Sequence, residues 1–243
     1  MQLISKDDVV TGQPSLVAKF LAEMGGTFVL VFCAAGAVMI ENISEGFVTP
    51  LGSALAAGIA VMLMVYSIRY ISGAHINPAV TFGFLVTRKI RFKDAIAYFV
   101  AQLSGAIFGA WMLRLIFGNV YGLGGHTPLG GVAQSLVIEI ILTFFLMSVI
   151  MVVSINQDRF KNIAGLAIGL VVALGIILGG PISGGSMNPA RSFGPAMVGW
   201  IWSYNWLYWV GPIIGATIGA LFCNSLAKII VSSDLRIDNP DSD

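Results

Sequence analysis

The polar groups of this chain whose types and spacing most clearly indicate chemistry are two Asn-Pro-Ala triplets, which begin at Asn77 and Asn188. Each follows a Gly-rich segment and precedes apolar residues, so the sequence predicts an Asn that caps a short helix whose first turn begins with Pro. A carboxamide donates and accepts hydrogen bonds, and a helix start adds backbone N–H groups and a partial positive charge. The candidate residues of this polar centre are Asn77, Pro78, Ala79, Asn188, Pro189 and Ala190.

An internal repeat relates the two triplets. Ser72–Phe84 reads SGAHINPAVTFGF, and Ser183–Met197 reads SGGSMNPARSFGPAM. The repeat extends beyond these segments, because Glu23 in the first long apolar run corresponds to Glu139 in the fourth. The elements that position the triplets are therefore predicted to occur twice.

Composition indicates a membrane protein. Of the 243 residues, 57% are hydrophobic and 10% are charged, whereas soluble domains have about 25% charged residues. The mean hydropathy is +0.88. The net charge of +1 argues against a nucleic-acid partner. No cleavable leader is expected, because the polar residues 1–15 precede an apolar run longer than a signal-peptide core.

Six apolar runs are long enough to cross a bilayer, since a helix rises about 1.5 Å per residue. Three runs and one half-helix fall in each repeat, so an all-α membrane protein is predicted. Because three is odd, the second repeat enters the membrane from the opposite side, which makes the repeats inverted. The predicted plan is an N-terminal tail (1–15), a first repeat (16–117), a connecting loop (118–131), a second repeat (132–231) and a C-terminal tail (232–243). The spans are 16–40, 50–68, 95–117, 132–155, 163–178 and 206–231.

The distribution of charge predicts the orientation. The loops 41–49 and 118–131 contain no Lys or Arg, whereas basic residues concentrate on the other side, as in 88–93. Both termini are therefore expected in the cytoplasm, with the chain in a plasma or cell membrane. Arg114, near the outer end of the third span, is the exception, for which snorkelling to the interface is sufficient. The outer glycosylation sequon at Asn42 is expected to be unused.

The two Gly-rich approaches to the triplets are expected to line a pore. Non-helical backbone at membrane depth is tolerated only where it is buried in protein or faces a watery cavity. Two helix starts that meet at one point suit neutral solutes and repel cations, including hydronium. Arg191, beside the second triplet, is energetically costly at this depth, which favours a functional role. The pore-lining backbone is assigned to Gly73, Ala74, His75, Gly184 and Ser186.

These residues resemble a known family. The segment Ala22–Phe28 (AEMGGTF), the paired triplets, SGAHINPAVT and SGGSMNPARSFGPA are similar to the major intrinsic proteins, the aquaporins and aquaglyceroporins. The resemblance implies six tilted spans, two re-entrant half-helices and a homotetramer with one pore per subunit. It also implies no cofactor, and water, small neutral solutes and the lipid bilayer as partners. Selectivity in this family is attributed to pore diameter, lining donors and an electrostatic barrier, and we adopt that description.

The same resemblance assigns an outer selectivity filter. It places Arg191 there as a donor of hydrogen bonds to solute and a barrier to cations. The other filter positions of the family fall 20 residues before the first triplet, and 12 and 3 residues before the second. They are occupied by Ala57, Ile176 and Gly185, which are small or apolar, so a wide filter is expected. Strict water channels of the family usually have an aromatic residue and a His at the first two positions.

Two sets of residues point to different solutes. The filter residues and the segment GGPISGGSMNPARSFGPA are similar to the nodulin-like intrinsic proteins of plants and their prokaryotic relatives, which pass boric acid, urea and glycerol-sized solutes. Ser192, Ala196, Tyr208 and Trp209 instead match water-type members. The expected function is a passive channel for water, glycerol and urea that excludes ions and protons, with boric or arsenous acid as a further hypothesis. A strict water channel is the alternative.

Four other polar residues were considered for a role in the channel. Three of them have two interpretations each, and the fourth has none. Glu23 and Glu139 could relay protons, but their symmetric placement favours carboxylates that accept hydrogen bonds from the re-entrant loops. His75 could gate the cytoplasmic mouth by protonation, although a packed, hydrogen-bonded loop residue is favoured. His126 is assigned no role.

Other classes of protein are disfavoured. The sequence offers no paired acids, no nucleophile with a base and no ligand cluster, so no enzyme activity, catalytic residue or metal site is expected. Cys33 and Cys223 lie in apolar runs and are assigned to the core. An ion channel would not place Arg191 and two positive helix ends in its pore. A purely structural junction protein would need bulky filter residues, unlike Ala57 and Gly185.

Overall fold

The computed structural model describes residues 13–160 and 162–237, so most of the predicted N-terminal tail and the end of the C-terminal tail lie outside the described residues. The described chain is helical and has no β-strand. Six helices in it are long and apolar enough to cross a membrane, which confirms the predicted fold class. The helices are α1 (Leu16–Ile43), α2 (Thr49–Ser72), α3 (Pro78–Val86), α4 (Phe92–Phe117), α5 (Val132–Ile155), α6 (Gln157–Phe160), α7 (Ala164–Ser183), α8 (Pro189–Gly199) and α9 (Leu207–Ile237).

Four long helices end later than the hydropathy pattern predicts, and the first of them, α1, continues from the predicted residue 40 to Ile43. The spans predicted to end at Ile68 and Leu178 continue as α2 to Ser72 and α7 to Ser183. Both stop at a left-handed Gly, with φ of 91° at Gly73 and 87° at Gly184. This conformation ends a helix with little strain at Gly. The last helix, α9, also continues beyond the predicted residue 231, to Ile237.

The long helices pack through matched glycines. A Cβ added to Gly105 on α4 would overlap the carbonyl oxygen of Met24 on α1, and a Cβ on Gly215 of α9 would overlap that of Ile140 on α5. The two repeats meet where α2 crosses α7, with the ideal Cβ of Gly58 only 2.5 Å from the carbonyl oxygen of Gly169. Small residues permit such close approach of backbones, as is typical of membrane helices.

The two short helices begin as the triplets predict. Asn77 has extended backbone, and its Oδ1 accepts from the N–H of Ala79 at 2.8 Å. Asn188 is also extended, and its Oδ1 accepts from the N–H groups of Ala190 at 3.0 Å and Arg191 at 3.3 Å. Both helices therefore start with an Asn cap followed by Pro.

Arg114 has a more specific partner than the membrane interface. Its Nη1 donates to the carbonyl oxygen of Val198, in the last turn of α8, at 2.7 Å. A cation at this end of a helix offsets the negative end of the helix dipole. Arg114 thus holds the C-terminal end of α8, and the N-terminal end of that helix begins at the second triplet.

Candidate channel and outer filter

A central cavity of about 570 Å³ runs between the two repeats. Its wall includes Pro50 at the start of α2 and Thr127 in the connecting loop, which lie at one end of the spans, called the outer end for the orientation that the charge pattern predicts. It also includes Ser154 near the end of α5 and Ile168 near the start of α7, which lie at the other end. The cavity therefore follows the direction in which the helices cross the membrane.

Two asparagines join the half-helices at the middle of this cavity. Asn77 Nδ2 donates to the carbonyl oxygen of Met187 at 2.8 Å, and Asn188 Nδ2 donates to that of Ile76 at 2.9 Å. Each carboxamide thus binds the loop of the other repeat, and both line the cavity. An amide nitrogen carries two hydrogens, so each Asn keeps a second donor for a solute.

The other members of the triplets have a different place. Pro78, Ala79, Pro189 and Ala190 are buried and are not part of the cavity wall. They form the first turns of α3 and α8, with both alanines fully buried. At this polar centre the helix start thus turns the Pro and Ala side chains into the protein and leaves the Asn of each triplet facing the cavity.

Glu23 on α1 supports the first re-entrant loop. Its Oε1 accepts from the backbone N–H of His75 at 2.9 Å and from Ser72 Oγ at 2.6 Å. Its Oε2 accepts from the N–H of Ile76 at 2.6 Å and from Gln102 Nε2 at 2.8 Å. Four donors thus surround a carboxylate that is fully buried, as buried charge requires.

Glu139 on α5 supports the second loop in the same way. Its Oε1 accepts from Ser183 Oγ and from the N–H of Ser186, both at 2.7 Å. Its Oε2 accepts from the N–H of Met187 at 2.7 Å. Neither Glu23 nor Glu139 lines the cavity. This geometry supports loop anchoring over a proton relay.

The pore-lining segments meet the cavity on both sides of the asparagines. Gly185 has a left-handed φ of 66°, and its ideal Cβ would lie 2.9 Å from Cα of Ile176. A larger residue would collide with α7 there, so the outer part of the pore depends on Gly at this position. The predicted lining residues Gly73, Ala74, His75, Gly184 and Ser186 all belong to the cavity wall.

The four predicted filter residues lie on the wall of the same cavity. Ala57 comes from α2, Ile176 from α7, Gly185 from the second loop and Arg191 from α8. Arg191 is 6% exposed. Its Nη1 is buried without a hydrogen-bond partner among the described residues. A buried guanidinium donor that faces a cavity indicates a place where a polar solute can be bound.

His75 lines the inner part of the cavity. Its Nδ1 is 3.0 Å from Thr81 Oγ1, its ring stacks on Phe84 with centroids 4.6 Å apart, and it meets Tyr98 edge-on at 5.1 Å. The imidazole is therefore held on three sides. This packing supports the fixed loop residue over the mobile gate.

His126 is the residue of this site that sequence reasoning missed. It comes from the connecting loop, lines the central cavity with Arg191 and lies 2.8 Å from Ser192 Oγ through Nδ1. Its neighbours in sequence are mostly Gly and gave no sign of this position. The available signal was the glycine run itself, because consecutive glycines permit a loop to enter a crowded pore mouth.

These features define a class of protein: a membrane-spanning pore with paired helix starts at its centre and a buried Arg on its wall. Among the described residues that line the middle of the cavity, the polar groups are hydrogen-bond donors and acceptors, and no carboxylate is included. Such a pore suits neutral polar solutes.

Comparison with known proteins identifies the family. The model of the major intrinsic protein family matches residues 11–223. Aquaporin NIP1-1 of Oryza sativa subsp. japonica is 46% identical over 205 residues, which cover 84% of this chain and 72% of that protein. Putative aquaporin NIP4-1 of Arabidopsis thaliana is 39% identical over 222 residues, covering 90% and 78%. The chain belongs to the major intrinsic protein family, and the resemblance to its nodulin-like members is confirmed.

A solved structure confirms the fold. The X-ray structure of the aquaglyceroporin from Plasmodium falciparum aligns with a TM-score of 0.81 and 25% sequence identity, covering 90% of this chain and 99% of that one. The protein is therefore an integral membrane channel of the aquaporin fold. It is not an enzyme, since its relatives are channels.

Proposed function

We propose that the protein is a passive channel for water and small neutral solutes of the size of glycerol and urea, which excludes ions and protons. The observation that carries this proposal is the outer filter. Three of its four residues, Ala57, Ile176 and Gly185, are small or apolar, and the fourth contributes the guanidinium of Arg191. None of these three residues adds an aromatic ring beside Arg191, which leaves room for a solute larger than water, and Arg191 orients it.

Transport proceeds by exchange of hydrogen bonds. A solute leaves bulk water, accepts from Arg191 at the filter and then from the free N–H groups of Asn77 and Asn188. Backbone of the re-entrant loops lines the path between these donors. The inner half offers mostly apolar wall, including Val65, Ile150 and Val172, so binding stays weak enough for release.

Ions and protons are excluded by the same groups. A cation would lose hydration while facing Arg191 and the positive ends of α3 and α8. Because Asn77 and Asn188 both donate toward the cavity, a water molecule between them accepts both hydrogen bonds on its oxygen. Such a water cannot also accept a hydrogen bond from a neighbouring water, so the chain of hydrogen bonds along which a proton would move is interrupted. The exclusion of hydronium follows from both effects.

We further propose a homotetramer with both termini in the cytoplasm. Large apolar side chains are exposed along every long helix, for example Leu63, Phe108, Val137, Leu170 and Phe222, as contact with lipid or with neighbouring subunits requires. Light scattering of the protein in detergent should give the mass of four 25.7 kDa chains. A mass of one or two chains would contradict the tetramer.

Stopped-flow light scattering on proteoliposomes tests the proposed function. Water, glycerol, urea and boric acid are compared, with empty liposomes as the background and an internal pH dye to follow protons. Rapid flux of water and glycerol without proton flux is expected. An Arg191→Ala variant should keep solute flux and admit protons or cations, since it removes the buried charge.

The alternative function, a strict water channel, makes a different prediction. Ser192, Ala196, Tyr208 and Trp209 match water-type members, and the loop residue His126 lines the same cavity as Arg191. Fast water flux with no flux of glycerol or urea would establish this alternative. Boric or arsenous acid remains a hypothesis that the boric acid measurement addresses.

A further inference from the structure

Buried polar side-chain atoms without a hydrogen-bond partner are concentrated on the outer part of the channel. Among the described residues such atoms belong to Glu41, Ser53, Gln102, Ser148 and Arg191. Three of them, Glu41 Oε2, Ser53 Oγ and Arg191 Nη1, belong to residues of the central cavity wall. Leaving a buried polar group without a partner is costly, so their concentration on one wall indicates that molecules inside the cavity supply the missing bonds.

Ser53 lies one helical turn outside the filter residue Ala57. Both residues belong to α2 and to the cavity wall, and four residues correspond to about 6 Å along a helix. Ser53 is 8% exposed, and its hydroxyl can donate one hydrogen bond and accept others. The channel therefore has an unpartnered polar group about one turn farther out than its filter, on the same helix face.

Glu41 is the outermost of the α1 residues that face the cavity. The others, Leu30, Ala34 and Val38, are apolar, and the spacing of the four residues places them on one face of the helix. Glu41 lies in the last turn of α1, and its Oε2 is buried without a partner. An ionised carboxylate can only accept hydrogen bonds, so the partner that is missing here is a donor.

These two side chains approach the outer entrance from neighbouring helices. The loop 44–48 joins α1 to α2, and the two helices pack against each other. Glu41 lies three residues before that loop, and Ser53 lies five residues after it. Among the described residues of the cavity wall, Glu41 has the only carboxyl group. An acceptor thus lies at the entrance, and the buried donor Arg191 lies at the filter.

We propose that Glu41 and Ser53 form an outer subsite that binds the N–H or O–H groups of a neutral solute while an acceptor atom of the same solute binds Arg191. The solute class that fits is a small neutral molecule with an acceptor at one end and several donors at the other, of which urea is the simplest. Hydrogen bonds of about 2.9 Å at each end let such a molecule bridge groups that are more than one helical turn apart. This inference rests on the proposed function and names the solutes that its filter favours.

The outer subsite favours solute over water for a physical reason. A solute that enters the filter gives up hydrogen bonds to bulk water at both of its ends. Arg191 replaces the bonds at the leading end, and Glu41 and Ser53 replace those at the trailing end. A water molecule at the filter is too short to reach both sets of groups, so its passage does not depend on the outer subsite.

The test measures urea, glycerol and water permeability by stopped-flow light scattering on proteoliposomes. Glu41→Met keeps the length of the side chain and removes both acceptor oxygens. Glu41→Gln keeps one acceptor oxygen without the charge, and Ser53→Ala removes the hydroxyl alone. The matched control is Glu45→Met, because Glu45 is exposed in the next loop and is not part of the cavity wall. Elution volume and thermal midpoint in detergent establish that each variant is folded.

The expected results separate hydrogen bonding from charge. Glu41→Met and Ser53→Ala should each lower the ratio of urea to water permeability by about fivefold, the scale of one hydrogen bond. Glu41→Gln should lower this ratio less, and Glu45→Met should leave it unchanged. An unchanged ratio in Glu41→Met and Ser53→Ala would overturn the proposal, as would an equal loss in Glu45→Met. An equal loss in Glu41→Gln and Glu41→Met would also overturn it, because the charge and not an acceptor oxygen would then be responsible.

A cation site is the other use that a carboxylate at a channel entrance can have. Ca²⁺ added outside the liposomes should leave the urea and water permeabilities of the wild-type protein unchanged. Inhibition by Ca²⁺ that Glu41→Gln abolishes would assign Glu41 to a cation and overturn the outer subsite.

The outcome is separable from that of the proposed function. If the wild-type protein passes urea or glycerol, the proposed function stands, and the variants alone decide on the outer subsite. If the wild-type protein passes only water, the proposed function fails, and urea bound at the outer subsite should then block water. Water permeability should in that case fall as external urea is added to the wild-type protein, and fall less in Glu41→Met and Ser53→Ala. The absence of such a block would overturn the outer subsite as well.

Discussion

In both repeats a buried carboxylate binds the re-entrant loop with the same geometry. The residues that complete the hydrogen-bond network around the half-helix differ between the repeats. Glu23 and Glu139 each accept from two consecutive loop N–H groups and one Ser hydroxyl. Tyr98 and Tyr208 likewise each donate to a Ser carbonyl oxygen at the end of the preceding span, at 2.6 and 2.8 Å. The framework that fixes the loops is thus shared by both halves of the channel.

The halves differ in the residue that touches the half-helix. In the first repeat, Gln102 on α4 donates to Thr81 Oγ1 at 2.9 Å and also to Glu23. When the repeats are aligned on Gly105 and Gly215, Gln102 corresponds to Pro212, which has no side-chain donor. Ser192, the counterpart of Thr81, contacts His126 of the connecting loop instead.

This difference indicates that the inner half mainly supports its loop, whereas the outer half selects the solute. On the inner side, a helix residue closes the network, and the carboxylate gains a fourth donor. On the outer side, the contact with the half-helix is made by a residue of the connecting loop, which also lies on the cavity wall. Loops tolerate change more readily than packed helices, so the outer half is where we expect solute preference to be set.

The largest expected effect tests whether both carboxylates serve the same purpose. Glu23→Gln and Glu139→Gln each place an N–H group against loop donors, and each should lower stability by on the order of 3 kcal/mol. Glu23→Gln should be the more severe, because four donors face Glu23 and three face Glu139. Thermal unfolding in detergent measures this, with exposed Glu45→Gln as the control.

The outcome that contradicts the anchoring role is equally clear. A Glu23→Gln channel that is folded and assembled normally but conducts protons differently would make Glu23 part of a proton path.

The next effect tests whether the two repeats pack alike. Gly105→Ala and Gly215→Ala each push a Cβ into a backbone carbonyl of the partner helix, so each should destabilise the protein by about 2 kcal/mol. Gly25→Ala on α1 is the control, because a Cβ there meets no atom within 4 Å. A large loss in one glycine variant and none in the other would show that the repeats do not share this contact.

A smaller effect separates the two half-helix contacts. Thr81→Val removes a hydroxyl bound by Gln102 and His75, and should lower stability by about 1 kcal/mol while leaving the ratio of glycerol to water permeability unchanged. Ser192→Ala frees Nδ1 of His126 and should change that ratio. Both variants are measured by thermal unfolding and stopped-flow flux. A changed ratio in Thr81→Val alone would reverse the assignment of the selective half.

The smallest effect concerns pH. Because burial and the nearby guanidinium of Arg191 hold its pKa well below the usual 6.5, His126 stays neutral as pH falls from 8 to 6.5, and it should not change water permeability in this range. The unfolded chain takes up that proton below about pH 6.5, so His126 makes stability decrease as pH falls further. A fall in wild-type flux across this range that His126→Gln abolishes would show that the ring titrates in the open channel.

Much of this architecture could be predicted from the sequence. Long apolar runs fix the spans because helices satisfy their own backbone in lipid, and the triplets carry the signal of a capped half-helix. The symmetric positions of Glu23 and Glu139 indicated their contacts with the loops. The helix ends at Ser72 and Ser183 were missed because the stop is a left-handed glycine, which hydropathy does not record.

The remainder depends on long-range contacts. The approach of His126 to Ser192 joins residues that are 66 apart in sequence, through a loop of left-handed residues that no periodic pattern encodes. The same reason applies to Arg114, whose carbonyl partner Val198 belongs to the other repeat. Sequence patterns identify elements and their faces, whereas the fit of a loop into a pore mouth is decided by packing.

The central claim is that small side chains make the outer filter wide, and one paired measurement tests it most directly. Glycerol and water permeabilities of the wild-type protein and of Ala57→Phe are recorded by stopped-flow light scattering in the same liposomes. The account predicts rapid glycerol flux in the wild-type protein and a loss of about tenfold or more in Ala57→Phe, with water flux largely retained. A wild-type protein that passes water and no glycerol would contradict it.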